Sequence, residues 1–354
     1  MQNSRTTRIK RRSLLQGAVA AVLLTGCSGA GTRESSATST APAGLTGHAE
    51  GAESVTFLSG SDAIAANLYL PPNFDSSRTY PAIVVSHPWG GVKEQTAGLY
   101  ARSMAEQGFI TLAYDASHYG ESEGLPRNME DPSHRVRDIR SAVTFLSNHD
   151  HVDADRVGSL GICAGGGYTI DEAQTDLRVR AVATVVAYDM GAAAREGIEG
   201  DRISYDERMA QLEEIGEQLT EEDSREPLVE QLVPDPQDLP EDAITFHRES
   251  ADYYLTDRGS HPNAENRFVV TSIGLHMGYF PFSQVDTISP RPLLLIAGEN
   301  AETLEFSQNA YDLAEEPREL MVIPGASHFD LYDRPQYVEP AVERMAGFFR
   351  EHLS

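Results

Sequence analysis

Along the chain, apolar positions switch repeatedly between a two-residue and a helical period. Val55–Leu58 and Ala63–Leu70 are short β-rich runs split by Ser59-Gly60-Ser61-Asp62, the pattern of a hairpin, and Pro71-Pro72 ends it. Ala82–Ser86 predicts a buried strand, and Thr96–Gln107 a helix with Leu99, Met104 and Ala105 close to one face. Phe109–Tyr114 predicts the next strand. Arg135–Asn148 predicts the next helix, striped by Val136, Ile139, Val143 and Leu146. Arg156–Ile162 and Val179–Ala187 read as strands, the second nearly all apolar, as parallel strands covered on both faces are. From about Met190 to Pro281 the alternation stops. That stretch is acidic, helix-prone and broken by prolines, and predicts an insertion lying over a sheet. The alternation resumes with Arg291–Ala297, a helix around Leu304–Ala314 and the strand Glu319–Ile323, and ends in an amphipathic helix, Val338–Phe349. Such a succession predicts an α/β fold with a doubly wound, mostly parallel sheet.

The first residues interrupt this picture. Arg11-Arg12-Ser13-Leu14-Leu15 and a short apolar run, Ala18–Leu24, have the layout of an export signal of twin-arginine type, with Sec export the alternative. The run is far short of the ~20 residues that span a bilayer. Leu24-Thr25-Gly26-Cys27 resembles a lipobox, which implies lipidation at Cys27 and a membrane partner reached through that anchor. Residues 28–50, rich in Gly, Ala, Ser and Thr, suit a flexible tether. The expected organisation is a leader over 1–27, the tether, and a folded domain over 51–354 on the outer face of the cytoplasmic membrane.

Charge narrows the partners. With 54 acidic and 28 basic residues the chain carries a formal charge of −26, which excludes a nucleic-acid partner. Lys10 and Lys93 are the only lysines. A surface adapted to strong salt, or a genome that prefers arginine combined with an acidic lid, accounts for this.

Candidate chemistry centres on the only cysteine besides Cys27. Gly161-Ile162-Cys163-Ala164-Gly165 joins an apolar strand to a helical segment. A nucleophile on so sharp a turn needs small neighbours two residues away on each side, and is presented at the carboxyl edge of the sheet. The N-terminus of the following helix is expected to favour the thiolate. In this arrangement the nucleophile is followed along the chain by an acid and then a histidine, each on a loop after a later strand. The histidine is His328, in Pro324-Gly325-Ala326-Ser327-His328. The acid belongs to Gly298-Glu299-Asn300-Ala301-Glu302, where Glu302 is favoured and Glu299 is the reserve. The oxyanion hole is expected from the backbone N–H of Ala164 and, in His87-Pro88-Trp89-Gly90-Gly91, that of Trp89. The alternative for His87 and Trp89 is plain loop packing.

These stretches, with Gly120-Glu121-Ser122-Glu123-Gly124, Pro290-Arg291-Pro292 and Phe329-Asp330-Leu331-Tyr332, make the chain resemble the dienelactone-hydrolase-like group of α/β-hydrolases. The resemblance spans about residues 51–354 apart from the insertion. It implies an α/β-hydrolase fold, a cysteine–histidine–acid triad, a small-molecule acyl substrate and no cofactor. It implies no particular substrate, because the insertion over 190–281 is longer than a minimal dienelactone hydrolase needs. Asp115, His118 and Asp138 read as structural, Asp138 as a partner for an arginine on the helix face. Three rival readings remain: an acyl transferase on the same scaffold, a non-catalytic binding lipoprotein, and a metal site at His149-Asp150-His151 with Asp153 and Asp155, whose spacing matches no usual ligand set.

Overall fold

A computed structural model describes residues 51–221 and 226–354. The leader, Cys27 and the tether lie outside the described residues. Eight strands form the central sheet: β1 (Ala52–Ser59), β2 (Asp62–Tyr69), β3 (Tyr80–Ser86), β4 (Ile110–Tyr114), β5 (Val152–Ile162), β6 (Val179–Val185), β7 (Leu293–Gly298) and β8 (Arg318–Ile323). Their spatial order is β1-β2-β4-β3-β5-β6-β7-β8. The β1–β2 and β2–β4 pairs are antiparallel and the rest parallel. The inner parallel strands are apolar because both faces are covered: every residue of Val157–Ile162 in β5 and of β7 is buried.

Helices α1 (Thr96–Glu106), α2 (Pro132–Ser147) and α3 (Ala164–Thr175) connect β3 to β4, β4 to β5 and β5 to β6. α2 begins three residues before the sequence reading, because Asp131 caps it by accepting from the Ser133 N–H and Pro132 occupies the first turn, where no N–H is needed. Between β6 and β7 the chain forms α4 (Met190–Glu196), α5 (Tyr205–Glu221), α6 (Thr245–Leu255) and α7 (Ser272–Met277), with two small antiparallel strand pairs. The remaining helices are α8 (Leu304–Leu313), the single turn α9 (Asp330–Asp333) and α10 (Pro335–His352). Among the described residues, no helix is long and apolar enough to cross a membrane.

Candidate active site

Cys163 stands between the last residue of β5 and the first of α3, with φ 55° and ψ −123°. A non-glycine residue in this region costs ~1–3 kcal/mol and persists only where its surroundings over-determine it. Here they do. The Cys163 N–H donates to Val185 O at 3.0 Å, and its carbonyl accepts from Gly166 and Tyr188 N–H at 2.8 and 2.9 Å. The flanking glycines have no room for a side chain: a Cβ on Gly161 would lie 2.2 Å from Gly165 O, and one on Gly165 would lie 2.4 Å from Ser86 O.

The thiol is buried, and burial pushes its pKa up to about 11 despite its hydrogen bonding with the Tyr332 hydroxyl and the Ala164 N–H. The expectation of a thiolate favoured by the helix N-terminus is therefore corrected. Desolvation of the charged form outweighs the partial charge at the end of α3.

His328 follows β8 and is fully buried. Phe246, Phe329 and Tyr188 surround its ring at centroid distances of 5.1, 5.0 and 6.3 Å. Burial lowers its pKa to about 3. Nδ1 meets the Thr303 hydroxyl at 2.6 Å and Nε2 meets the Tyr332 hydroxyl at 3.3 Å.

Neither expected carboxylate reaches the imidazole. Glu302 Oε1 accepts the Phe246 N–H at 3.0 Å, near the start of α6, and Glu299 Oε2 accepts the Gly325 N–H at 2.9 Å. The chain turns tightly after β7, with Ala301 N–H donating to Gly298 O, so that Thr303 rather than Glu302 faces the ring. Thr303 and Tyr332 were both missed from sequence. Tyr332 had a signal, since it lies four residues after His328 in a segment that turns helically. Thr303 had none, because its role depends on the path of one loop.

His87 braces the loop after β3: Nδ1 lies 2.6 Å from Pro88 O, and Nε2 accepts from Ala116 N–H at 2.9 Å. Buried Arg135 donates to His87 O at 2.5 Å and to Glu130 at 2.9 Å. A buried ion pair so bonded fixes the loop that carries Trp89. The Trp89 ring packs edge-on against Phe268 and His276 of the insertion.

Cys163, Trp89, Tyr188, Tyr254, Phe329 and Tyr332 line a cavity of about 70 Å³, closed by Leu232, Phe246 and His247 of the insertion. This is about half the ~150 Å³ that admits a benzene ring. His247 Nε2 lies 2.8 Å from Asp201 Oδ2.

None of the residues read as structural lines the cavity. Asp115 accepts from Lys93 N–H and Nζ, both at 2.8 Å, and from Glu121 N–H at 2.9 Å. Asp138 bonds Ser59 at 2.5 Å and Ser117 N–H at 2.7 Å, which corrects its expected arginine partner. His118 stacks on His134. Among the described residues, no three His, Cys, Asp or Glu side chains group as metal ligands.

Comparison with known proteins bears on the fold and the family. The Dienelactone hydrolase family model matches residues 64–204. An uncharacterized Pseudomonas aeruginosa protein, PA2218, is 42% identical over 294 residues, 82% of this chain and 77% of that protein. Its crystal structure aligns with a TM-score of 0.80 at 39% identity, covering 90% of this chain and all of that one. The uncharacterized protein YcjY of Escherichia coli is 38% identical over 82% of this chain and 95% of its own length. Two more distant relatives bear the names of activities. Acyltransferase DrtE of Aspergillus calidoustus is 24% identical over 78% of this chain and 88% of its own. Thiohydrolase AneE of Aspergillus aculeatus is 36% identical over 30% of this chain and 33% of its own. Fold, strained turn and relatives converge: the chain belongs to the dienelactone hydrolase family and is an α/β-hydrolase.

Proposed function

We propose that this hydrolase acts on a carboxylic ester, thioester or lactone with a short acyl group, through a covalent intermediate on Cys163. The observation that carries the reading is the left-handed turn at Cys163, which puts the thiol on the cavity wall, hydrogen-bonded to a hydroxyl that also meets His328. In this mechanism His328 takes the thiol proton and the sulfur attacks the carbonyl carbon. The Ala164 and Trp89 N–H groups hold the oxyanion, and His328 then activates water. Thr303, in place of Glu302, fixes the imidazole. With no carboxylate beside it, the imidazolium is poorly stabilised, which favours good leaving groups such as the thiolate of a thioester. The small cavity supports a short acyl chain. The test is hydrolysis of short-chain nitrophenyl esters and thioesters by the full chain at low and high salt, beside Cys163→Ala and Cys163→Ser. Activity lost in the alanine variant is expected; turnover by that variant would end the reading.

Acyl transfer is the second reading. The mostly apolar cavity offers a hydrolytic water few polar partners, and one relative bears an acyltransferase name. Partition of the acyl group between water and added alcohols or amines separates the two. The leader supports export and lipid anchoring at Cys27. Palmitate labelling of the full chain, absent from Cys27→Ser, is the expected result.

A further inference from the structure

The two reactive side chains meet at one hydroxyl group. The Tyr332 hydroxyl is hydrogen-bonded to the Cys163 thiol, stands 3.3 Å from His328 Nε2, and is bonded also to Tyr254. Nothing in the packing of the ring requires this hydroxyl, because the ring is already held edge-on by Tyr253 at 5.0 Å and tilted against Phe329 at 4.8 Å. The backbone beside it is tied to α1, with Thr96 Oγ1 donating to Tyr332 O at 3.0 Å and the Tyr100 hydroxyl to Leu331 O at 2.7 Å. A polar atom buried in an aromatic box costs free energy unless its hydrogen bonds are made, and these go to the nucleophile and the base. At His328, a Thr303 oxygen that accepts the Nδ1–H leaves Nε2 as an acceptor aimed at the Tyr332 O–H.

We infer that Tyr332 is a catalytic residue of the reaction proposed above, relaying the proton between Cys163 and His328. In the acylation step the S–H bond breaks and its proton bonds to Tyr332 Oη, while the Tyr332 O–H proton passes to His328 Nε2. The electron pair left on sulfur forms the bond to the acyl carbon as the carbonyl π bond breaks and its pair moves onto the carbonyl oxygen, from which it re-forms the double bond on collapse. On collapse the bond to the leaving group breaks and its pair goes to the departing oxygen or sulfur. That atom takes a proton from Tyr332, which is refilled from the imidazolium. Tyr332 ends unchanged. The relay suits a pocket that keeps both partners neutral, because the charged pair exists only as the sulfur attacks.

The inference rests on Cys163 being the nucleophile, and the experiment separates the two. Pre-steady-state acylation of the full chain by nitrophenyl acetate is measured in mixtures of light and heavy water, for wild type, Tyr332→Phe, Tyr254→Phe and Cys163→Ala. The wild type is expected to give a curved proton inventory, with two protons in flight. Tyr332→Phe is expected to acylate ~10²-fold more slowly, the low end of what a positioned proton-transfer group supplies, with a linear inventory and unchanged KM. Tyr254→Phe should keep the curvature. A linear wild-type inventory, which needs no variant to fold, overturns the relay. So does a Tyr332→Phe enzyme that matches the wild type while Cys163→Ala is inactive. An active Cys163→Ala overturns the nucleophile and the relay with it.

Discussion

The turn carrying Cys163 and the loop carrying His328 are built on opposite principles. The first is closed by its own backbone: glycines without room for a Cβ and three main-chain hydrogen bonds hold the cysteine in its strained conformation. The second is assembled from distant pieces, with Thr303 from the loop after β7, Tyr332 from α9, and Phe246 and Glu249 from the insertion. The turn can therefore be broken by one methyl group. The loop should respond by degrees.

Gly161→Ala is expected to have the largest effect. A Cβ so close to Gly165 O cannot be relieved by a side-chain shift, so the loss should exceed the ~1–3 kcal/mol usual for overpacking. Circular dichroism and denaturant titration would reveal it, and a variant of wild-type stability would refute the steric account. Next comes His328→Ala, which should keep the fold and lose ~10²–10⁴-fold in turnover, the range for a general base.

The pH profile tests the missing acid. Because His328 titrates near 3 rather than 6.5, the imidazole stays neutral through mildly acidic solution, and kcat/KM should stay level well below pH 6. Thr303→Asp puts a negative charge beside the ring, favours the imidazolium, and should move the acid limb upward. A wild-type limb already near neutrality would point to an unrecognised carboxylate partner. The same shift bears on stability. The unfolded chain binds a proton at this histidine below about 6.5 and the folded chain only near 3, so stability should fall as the pH drops through that window.

The smallest effects separate the rival third residues. Thr303→Val removes a neutral hydrogen bond and should slow acylation ~2–10-fold, as ~0.5–1.5 kcal/mol implies. Glu302→Gln should leave the acylation rate of a small activated ester near wild type, since the carboxylate bonds to α6 and not to the imidazole. A larger loss in Glu302→Gln than in Thr303→Val would restore the acid expected from sequence.

The same contrast explains what could be read in advance. The sheet and the Cys163 turn were legible because their causes are local: apolar period, glycine sterics and the order of strands. The strand ends also placed His328 on its loop. The partner of His328 was not legible, because moving one residue along the loop after β7 exchanges Glu302 for Thr303 and no periodicity records that step. Nor could sequence weigh the helix terminus at Cys163 against burial, since the depth of the thiol is set by aromatic rings contributed from three separate segments: Tyr188 after β6, Phe246 and Tyr254 of α6, and Phe329 after β8.

The insertion is fastened both to the loop after β7 and to the loop that carries His328. Glu302 receives the Phe246 N–H, Ser327 donates to Glu249 at 2.5 Å, and Arg258 grips Asp333 at 2.7 Å and Phe329 O at 2.7 Å. Cover and histidine loop are thus joined as one mechanical unit. A chimera that imports another relative's cover while keeping this chain's own histidine loop would sever all three attachments at once, so exchange of specificity between members of the family should succeed only when residues 302, 327 and 333 travel with the insertion.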